Sequence, residues 1–384
     1  MSNITAYIEE FGNIPFSELP YTDGDDFSLN NIFYMPLEKV APSEFEKTPK
    51  TLGHYAQAFY ALHHYKMVPA GLVLPKHICR RLVKMSSHRR FAAIKLTGVR
   101  SVFDEENTVQ FAAATFILPN KVNVVAFRGT DDTILGWVED FDLLLKGKTG
   151  SHDLAVQYLE EAAAKLEGDL FVTGHSKGGH LALYAALHCS EETRKRIKRV
   201  YNNDGPGFAD DAYLNSDEYN QLRPVYRHFI PDSSLFGLML KHDNDFKVVK
   251  SSVPFLGLVQ HDISTWQLNG AIPVLVDDVT AIGKVQDEAF ANTIEQASNE
   301  DINGFRTILN DTFMATGTEN LTGFAKNIVT SVPKMVNNYF DHDKDTRKHF
   351  WKATTIILTN LGKSAVSAAK GELVYPVARK KNNA

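Results

Sequence analysis

One segment constrains the fold of this chain more than any other. An apolar run, Leu170 to Thr173, is joined by a glycine-rich turn to an Ala- and Leu-rich helical run from Lys177 to about Leu187. The turn, residues 174–178, reads GHSKG and fits the pattern G-x-S-x-G, whose serine lies in a strained turn and needs neighbours without side chains. A glycine-rich helix start that serves only packing is the alternative. The strand before the turn and the helix after it favour a nucleophile elbow with Ser176 at its tip.

The order of strand-like and helix-like runs predicts the fold class. Predicted strands cover residues 94–103, 109–118, 122–127, 170–173, 199–202, 225–230 and 246–250, and predicted helices cover residues 52–65, 77–85, 153–166 and 177–187. Turn residues between the first three strands indicate hairpins, whereas the later strands alternate with helices. Such alternation favours the α/β class, with a mostly parallel sheet covered by helices on both faces. Together with the nucleophile elbow, it predicts an α/β-hydrolase-like fold.

These runs divide the chain into three parts. We expect an N-terminal helical entry segment packed on the core at residues 1–90, an α/β-hydrolase core at residues 91–276 and a helical C-terminal extension at residues 277–384. Two arrangements stay open for the extension, a small helical domain and a set of helices packed back on the sheet. In both, we expect it to shape access to the site without supplying catalytic groups.

Composition and charge exclude several classes of function. Lys and Arg number 41 against 46 Asp and Glu, a formal net charge of −5, so no global positive field draws the protein onto nucleic acid. Two cysteines in 384 residues provide no disulfide framework, which is typical of a reducing compartment. With no export signal and no apolar stretch of about 18 residues, we expect a cytoplasmic protein without a transmembrane segment, while peripheral membrane contact and oligomeric state stay open. The sequence predicts no cofactor and no metal site.

A serine hydroxyl becomes a nucleophile only when a histidine takes its proton and an acid orients that histidine. In an α/β-hydrolase the acid and then the histidine follow the serine along the chain. Asp232 is the first choice for the acid because it comes directly after the predicted strand 225–230. The rival is Asp204, which follows the preceding strand but stands before Gly-Pro-Gly, where an aspartate is also a good turn former.

His261 is the candidate base, because it lies in a loop after the strand at 246–250, which is the place along the chain where this fold has its catalytic histidine. His242 lies among charged residues before that strand, and His342 and His349 fall in the helical extension. Two backbone N–H groups are also needed for the developing oxyanion. Lys177 supplies the first, and Thr130, after the strand 122–127, is expected to supply the second with its amide and its hydroxyl.

Several motifs of the chain resemble those of the class 3 lipase family. They are FRGT at residues 127–130, GWVED at 136–140, the elbow GHSKGG at 174–179, the segment IPD at 230–232, and His261 followed five residues later by Trp266. Together they cover roughly residues 90–270. The whole chain, with DGPGF at residues 204–208, is similar to a bacterial branch of these hydrolases.

The resemblance implies Ser176 as nucleophile, Asp232 as acid, His261 as base, and Thr130 with Lys177 as oxyanion donors. Two features depart from the family. An apolar residue usually stands at the position of Lys177, and no apolar amphipathic lid is evident after Thr130. We therefore expect a small-molecule acyl ester as substrate, cleaved through an acyl-enzyme.

Two other functions stay open. A phospholipase or lysophospholipase acting on a lipid substrate is favoured by a basic run at residues 76–90, although such a run is typically a solvated helix face. A non-catalytic binding protein that keeps the hydrolase fold, with the helical C-terminus as its partner surface, is the alternative from another class, because a fold does not secure a function.

Overall fold

The computed structural model describes residues 2–68, 70, 77–243, 245–253 and 257–369. The strands in these ranges are β1 (Lys95–Asp104), β2 (Val109–Ile117), β3 (Val122–Phe127), β4 (Asp169–His175), β5 (Ile197–Asn203), β6 (Tyr226–Pro231), β7 (Lys247–Val249), β8 (Leu268–Asn269), β9 (Ile272–Pro273) and β10 (Leu275–Val276). One sheet has the order β1-β2-β3-β4-β5-β6-β7-β10, and β8 pairs separately with β9. The strands predicted from the sequence coincide with β1 to β7 to within a few residues.

The direction of the strands decides where the ends of the sheet meet. The pairs β1–β2 and β2–β3 are antiparallel, as the predicted hairpins require, and β3 to β7 run parallel to one another. Parallel strands bring all their carboxyl ends to one edge of the sheet, which is where open α/β sheets place their sites. The residues that follow β3, β4, β5 and β6 therefore meet at that edge.

Helices cover both faces of the sheet. They are α1 (Ile4–Phe11), α2 (Asp23–Ile32), α3 (Leu52–Leu62), α4 (Ile78–Ser86), α5 (Arg89–Ala92), α6 (Ile134–Lys146), α7 (Gly150–Lys165), α8 (Lys177–His188), α9 (Glu191–Arg196), α10 (Asp217–Leu222), α11 (Gly257–Gln260), α12 (Ala281–Gln296), α13 (Asn299–Met314), α14 (Leu321–Lys326), α15 (Ile328–Asp341) and α16 (Lys344–Ala369). Alternating residues of β2 separate two cores: Phe116 belongs to the core formed with α1 to α5, and Phe111 to the core formed with α7, α8 and α10. The predicted α/β-hydrolase-like fold is confirmed.

The N-terminal layer, α1 to α5, contains buried carboxylates that the sequence analysis did not anticipate. Asp23, Asp25 and Asp26 lie in the first turn of α2 and all three are buried. Negative charge in the first turn of a helix is stabilised by the helix dipole. Asp25 also pairs with Arg90 at 2.5 Å, and both side chains are fully buried. Removing one partner of such a pair typically costs about 3–5 kcal/mol.

The basic run at residues 76–90 is a solvated helix face only in part. Arg90 is buried against Asp25, Arg81 is 7% exposed, and Lys84 pairs with a glutamate of α1. The first residue of the run, Lys76, lies outside the described residues. Arg80 and Arg89 stay exposed, so only part of the positive charge is available to an anionic lipid headgroup.

The described part of the C-terminal extension contacts the core next to the end of β3. A guanidinium N–H of Arg306 in α13 donates to Asp142 of α6 over 2.8 Å. The N–H of Ile134, the first residue of α6, donates to the carbonyl of Glu319 over 3.1 Å. These contacts support the arrangement in which the helices pack back on the core. Of the helices in the described ranges, none combines the length and the apolarity needed to cross a membrane.

A chain that ends at residue 280 is expected to be less stable than the full chain, because the truncation exposes the side of α6 that α13 contacts. We expect a lower melting temperature and aggregation, measured by thermal unfolding and light scattering. Arg306→Ala in the full chain removes a single contact and should lower the melting temperature by less. A monomeric truncated chain with an unchanged melting temperature would show that the helices form a separate module.

Candidate active site

Ser176 lies between β4 and α8 in a backbone conformation that few residues adopt. Its φ is +59° and its ψ is −134°, and a residue with a Cβ in so sparsely populated a region typically carries about 1–3 kcal/mol of strain. The N–H of Ser176 donates to the carbonyl of Asn203 in β5 over 2.9 Å. The serine therefore lies at the carboxyl edge of the sheet in the strained turn that the elbow motif predicts.

Two glycines allow the elbow to lie against the end of β3. A Cβ on Gly178 would overlap the carbonyl oxygen of the last residue of β3, so a side chain there would push α8 away from the strand. A Cβ on Gly129 would lie 3.0 Å from the Cβ of Ser176, so the chain after β3 passes directly beside the serine. Thr130 follows at once, and the N–H of Lys177, at the first position of α8, has no partner within its helix. The two predicted oxyanion donors therefore belong to segments that flank Ser176.

His261 and Asp204 are joined by the hydrogen bond that a histidine base requires. Nδ1 of His261 lies 2.6 Å from Oδ2 of Asp204, whose side chain is fully buried. Since a carboxylate only accepts, the neutral imidazole carries its proton on Nδ1 and leaves Nε2 as an acceptor. The His261 ring centroid lies 4.4 Å from that of His175, the residue before the serine. The base candidate and the elbow are thus in contact.

The structure pairs His261 with Asp204, the rival acid, and not with Asp232. Asp204 directly follows β5, with φ of +56°. Its Oδ1 accepts from the Ser234 hydroxyl over 2.5 Å and from the Gly237 N–H over 3.1 Å. The loop after β6, which was expected to carry the acid, therefore supplies hydrogen-bond donors to a carboxylate of the neighbouring strand.

Asp232 occupies a different place in the same loop. Its carboxyl group is hydrogen-bonded to the side chain of Gln260, and partial burial raises its pKa. Its carbonyl oxygen accepts from the N–H of Thr280 over 2.6 Å, which joins the loop to the start of α12. The expected pairing of Asp232 with His261 is wrong, because the end of β5 brings Asp204 to Nδ1 of the histidine.

A second buried chain of hydrogen bonds fixes the residue before the serine. Nε2 of His175 lies 2.7 Å from the carbonyl oxygen of His261, and Nδ1 lies 2.7 Å from the hydroxyl of Tyr34. Burial lowers the pKa of His175 well below its usual value, so the ring is neutral. A carbonyl only accepts, hence Nε2 donates and Nδ1 accepts from Tyr34. Tyr34 lies just beyond α2, and no local sequence signal distinguished it.

Thr130 uses its hydroxyl differently from the expectation. The hydroxyl oxygen lies 2.7 Å and 2.6 Å from the two carboxyl oxygens of Asp140 in α6, so it donates to that carboxylate. Only the backbone N–H of Thr130 is left as an oxyanion donor. Burial raises the pKa of Asp140 to about 6, while the positive charge of Lys177 and the bond from Thr130 act to lower it. Asp140 is the last residue of the GWVED motif, and this motif was the sequence feature that could have indicated its contact with Thr130.

The remaining histidine candidates lie elsewhere in the fold. Nδ1 of His242 is bonded to a backbone carbonyl over 2.8 Å in the loop before β7. His342 and His349 pair with aspartates of α13. Among the residues that the structure describes, no group of three or more His, Cys, Asp or Glu side chains could hold a metal ion.

Comparison with known proteins adds a family and two structural likenesses. A family model described as Mbeg1-like matches residues 85–313, more than half of the chain. The chain is similar to the mono- and diacylglycerol lipase from Aspergillus oryzae, with 19% identity and a TM-score of 0.32 over 56% of this chain and 73% of the lipase. It is also similar to M37 lipase, with 13% identity and a TM-score of 0.36 over 70% of this chain and 89% of that one. None of the curated proteins compared with the chain matches it.

If Asp204 orients the histidine, Asp204→Asn is expected to lower kcat for a small ester by about 10⁴, because an amide favours the wrong tautomer of the imidazole. Asp232→Asn makes the same chemical change in the neighbouring loop and serves as the matched control, with a far smaller expected loss. Steady-state kinetics on variants whose circular dichroism is unchanged distinguishes the two carboxylates. A larger loss for Asp232→Asn would return the acid role to Asp232.

Proposed function

The chain belongs to the Mbeg1-like family, and from the groups at its strand ends we propose that it is a serine hydrolase that cleaves a carboxylic ester or a related acyl bond. The observation that carries this proposal is the 2.6 Å hydrogen bond between His261 and Asp204 beside Ser176 in its strained turn. Chain order supports it, since serine, acid and histidine follow one another as in other α/β-hydrolases. We assign Asp204, in place of Asp232, as the acid.

In the proposed reaction, Nε2 of His261 takes the proton of the Ser176 hydroxyl while Oγ attacks the acyl carbon. The tetrahedral intermediate collapses when His261 returns that proton to the leaving alcohol, and the acyl group stays on Ser176 as an ester. Water then attacks the acyl-enzyme by the same route, with His261 again as base and then as acid. The products are a carboxylic acid and an alcohol, and Asp204 holds Nδ1 of His261 by its hydrogen bond throughout.

We assign the backbone N–H groups of Thr130 and Lys177 to the oxyanion. A preorganised donor of this kind is typically worth about 10² to 10³ in kcat. The hydroxyl of Thr130 takes no part while it donates to Asp140, so Asp140 acts by holding the threonine in place. His175 and Tyr34 act in the same way on the elbow, since both neutral side chains are committed to each other.

The substrate proposed is a small-molecule acyl ester, with no cofactor, no metal and no nucleic acid. A phospholipase activity has somewhat less support than the sequence suggested, because Arg81 and Arg90 of the basic run are buried and only part of the run is exposed. A non-catalytic binding protein is the alternative from another class. Such a protein would have no need of a hydrogen bond between a histidine and a carboxylate beside the elbow. The observed bond between His261 and Asp204 therefore favours the enzyme.

Labelling with a fluorophosphonate probe tests the proposal, because such a probe reacts rapidly only with an activated serine. We expect stoichiometric labelling at Ser176, mapped by mass spectrometry, and turnover of p-nitrophenyl esters that Ser176→Ala abolishes. Ser17→Ala, at an exposed serine distant in sequence, is the matched control and should keep full activity.

Two results would contradict the enzyme assignment. The first is a Ser176→Ala variant that retains the turnover of the unmodified protein. The second is a folded protein that binds the probe at no serine, which would favour a binding protein with a hydrolase fold.

A further inference from the structure

The side chain of Lys177 is buried in a polar cluster that the proposed reaction does not use. Its ammonium group donates to the carbonyl oxygen of Gln110 over 2.8 Å, to the Gln110 side-chain oxygen over 2.9 Å and to Oε2 of Glu139 over 2.7 Å. Both charged side chains are almost inaccessible, at 2% and 0% exposure. All three ammonium hydrogens therefore have acceptors.

Glu139 is equally well satisfied. Its Oε2 also accepts from the Gln110 N–H over 2.9 Å, and its Oε1 accepts from the hydroxyls of Thr149 over 2.8 Å and Ser151 over 2.6 Å. The ion pair therefore joins α8 to β2, to α6 and to the start of α7. A buried pair is retained without loss of stability only when its remaining donors and acceptors are satisfied in this way.

The cluster is connected to the segments that carry both proposed oxyanion donors. Glu139 precedes Asp140 on α6, and Asp140 holds the hydroxyl of Thr130. On the same helix, a Cβ on Gly136 would lie 2.9 Å from the methyl group of Thr130, so α6 packs directly against that residue. Lys177 itself provides the other donor through its backbone N–H. The position of α6 relative to α8 thus decides how the two N–H groups are placed.

We propose that the Lys177 side chain is a positioning residue of the oxyanion hole, which fixes α6, and with it Asp140 and Thr130, against the start of α8 through its ion pair with Glu139. This inference rests on the proposed serine hydrolase function. Buried ion pairs are often replaceable by apolar residues without loss of stability, so a purely stabilising role gives no reason for a lysine here.

The charge of Lys177 also acts on Asp140. The ionisable groups that influence Asp140 are Lys177 of α8, Glu139 of its own helix and His261, and Tyr34 of the N-terminal layer lies within range of its charge. Burial raises the pKa of Asp140 to about 6, and Lys177 is the strongest influence that lowers it. Lys177 therefore keeps the carboxyl ionised near neutral pH, the form that accepts the hydroxyl of Thr130.

Lys177→Met tests this role, because methionine fills similar space, carries no charge and keeps the backbone N–H. At pH 7 we expect kcat for a small ester to fall by about 10- to 100-fold, the loss typical of a misplaced catalytic group, with little change in KM. Loss of the Lys177 charge raises the pKa of Asp140, so the ionised fraction of Asp140 falls at mildly acidic pH. The part of the acid limb of the kcat profile that depends on Asp140 should therefore move to higher pH.

Three further variants separate a positioning role from a merely structural one. Glu139→Gln removes a negative charge beside Asp140, so the limb should move to lower pH. In an Asp140→Asn background, Lys177→Met should no longer move the limb. Lys146→Met, a matched control on the exposed side of α6, should leave the profile unchanged. If Lys177→Met lowers only the melting temperature and leaves kcat and the limb unaltered, the proposal is wrong.

Lys177→Met leaves the charge of Glu139 buried without a partner, and this variant could fail to fold for that reason alone. In that case the double variant Lys177→Met/Glu139→Gln is used in its place, because it buries no unpaired charge. Lys177 influences the pKa of Asp140 more strongly than Glu139 does. The acid limb of the double variant should therefore still move to higher pH, and an unmoved limb would overturn the proposal.

If the unmodified protein shows no turnover that depends on Ser176, the proposed function fails instead. The effect of Lys177 on Asp140 is then measured by carboxyl ¹³C NMR titration of the full chain, and an unchanged Asp140 pKa would contradict the proposal.

Discussion

The close packing of α8 against the end of β3 is the contact on which the candidate site depends. A helix can begin there only because Gly178 has no side chain, and the same approach forces Ser176 into its strained turn. The cooperative hydrogen bonds of the parallel strands β3, β4 and β5 resist the movement that would relieve this strain. A single packing constraint thus sets the position of the serine and of the N–H groups on either side of it.

The sequence predicted the sheet because its strands are buried and apolar, and such runs need little context to be recognised. It did not predict α2 or α6. The start of α2 contains three aspartates, which in isolation indicate a solvated turn, and their burial depends on distant partners such as Arg90 and Asn203. Periodicity records which positions are apolar, but it does not record which polar side chains will find partners in the folded chain.

The candidate site was predicted in part, for a related reason. The motif around Ser176 is local, because its chemistry requires glycines at fixed spacing. The acid has no such motif, and both Asp204 and Asp232 follow parallel strands that end at the same edge of the sheet. Asp204 was discounted as a turn former, yet its φ of +56° shows that it forms the turn and also binds His261. The two interpretations of that residue were compatible, and only the three-dimensional arrangement could distinguish the carboxylates.

Two buried carboxyl groups on opposite sides of the elbow lower the stability of the folded chain when they are ionised. Burial raises the pKa of Asp26 to about 7 and that of Asp140 to about 6. Asp26 accepts from the side chain of Asn203 over 2.8 Å, and the carbonyl of Asn203 accepts the N–H of Ser176, while Asp140 holds Thr130. Because both values lie above the ordinary 3.8, the folded chain binds more protons than the unfolded chain between about pH 4 and 7. The resulting stability is complete below about pH 4 and is lost as the pH rises through 6 and 7. At neutral pH the Asp140 carboxyl is therefore mostly ionised and the Asp26 carboxyl about half ionised, although burial disfavours the charge of both. Asp26 acts on the strained Ser176 through Asn203, and Asp140 holds Thr130, as expected when geometry at a site is maintained against stability.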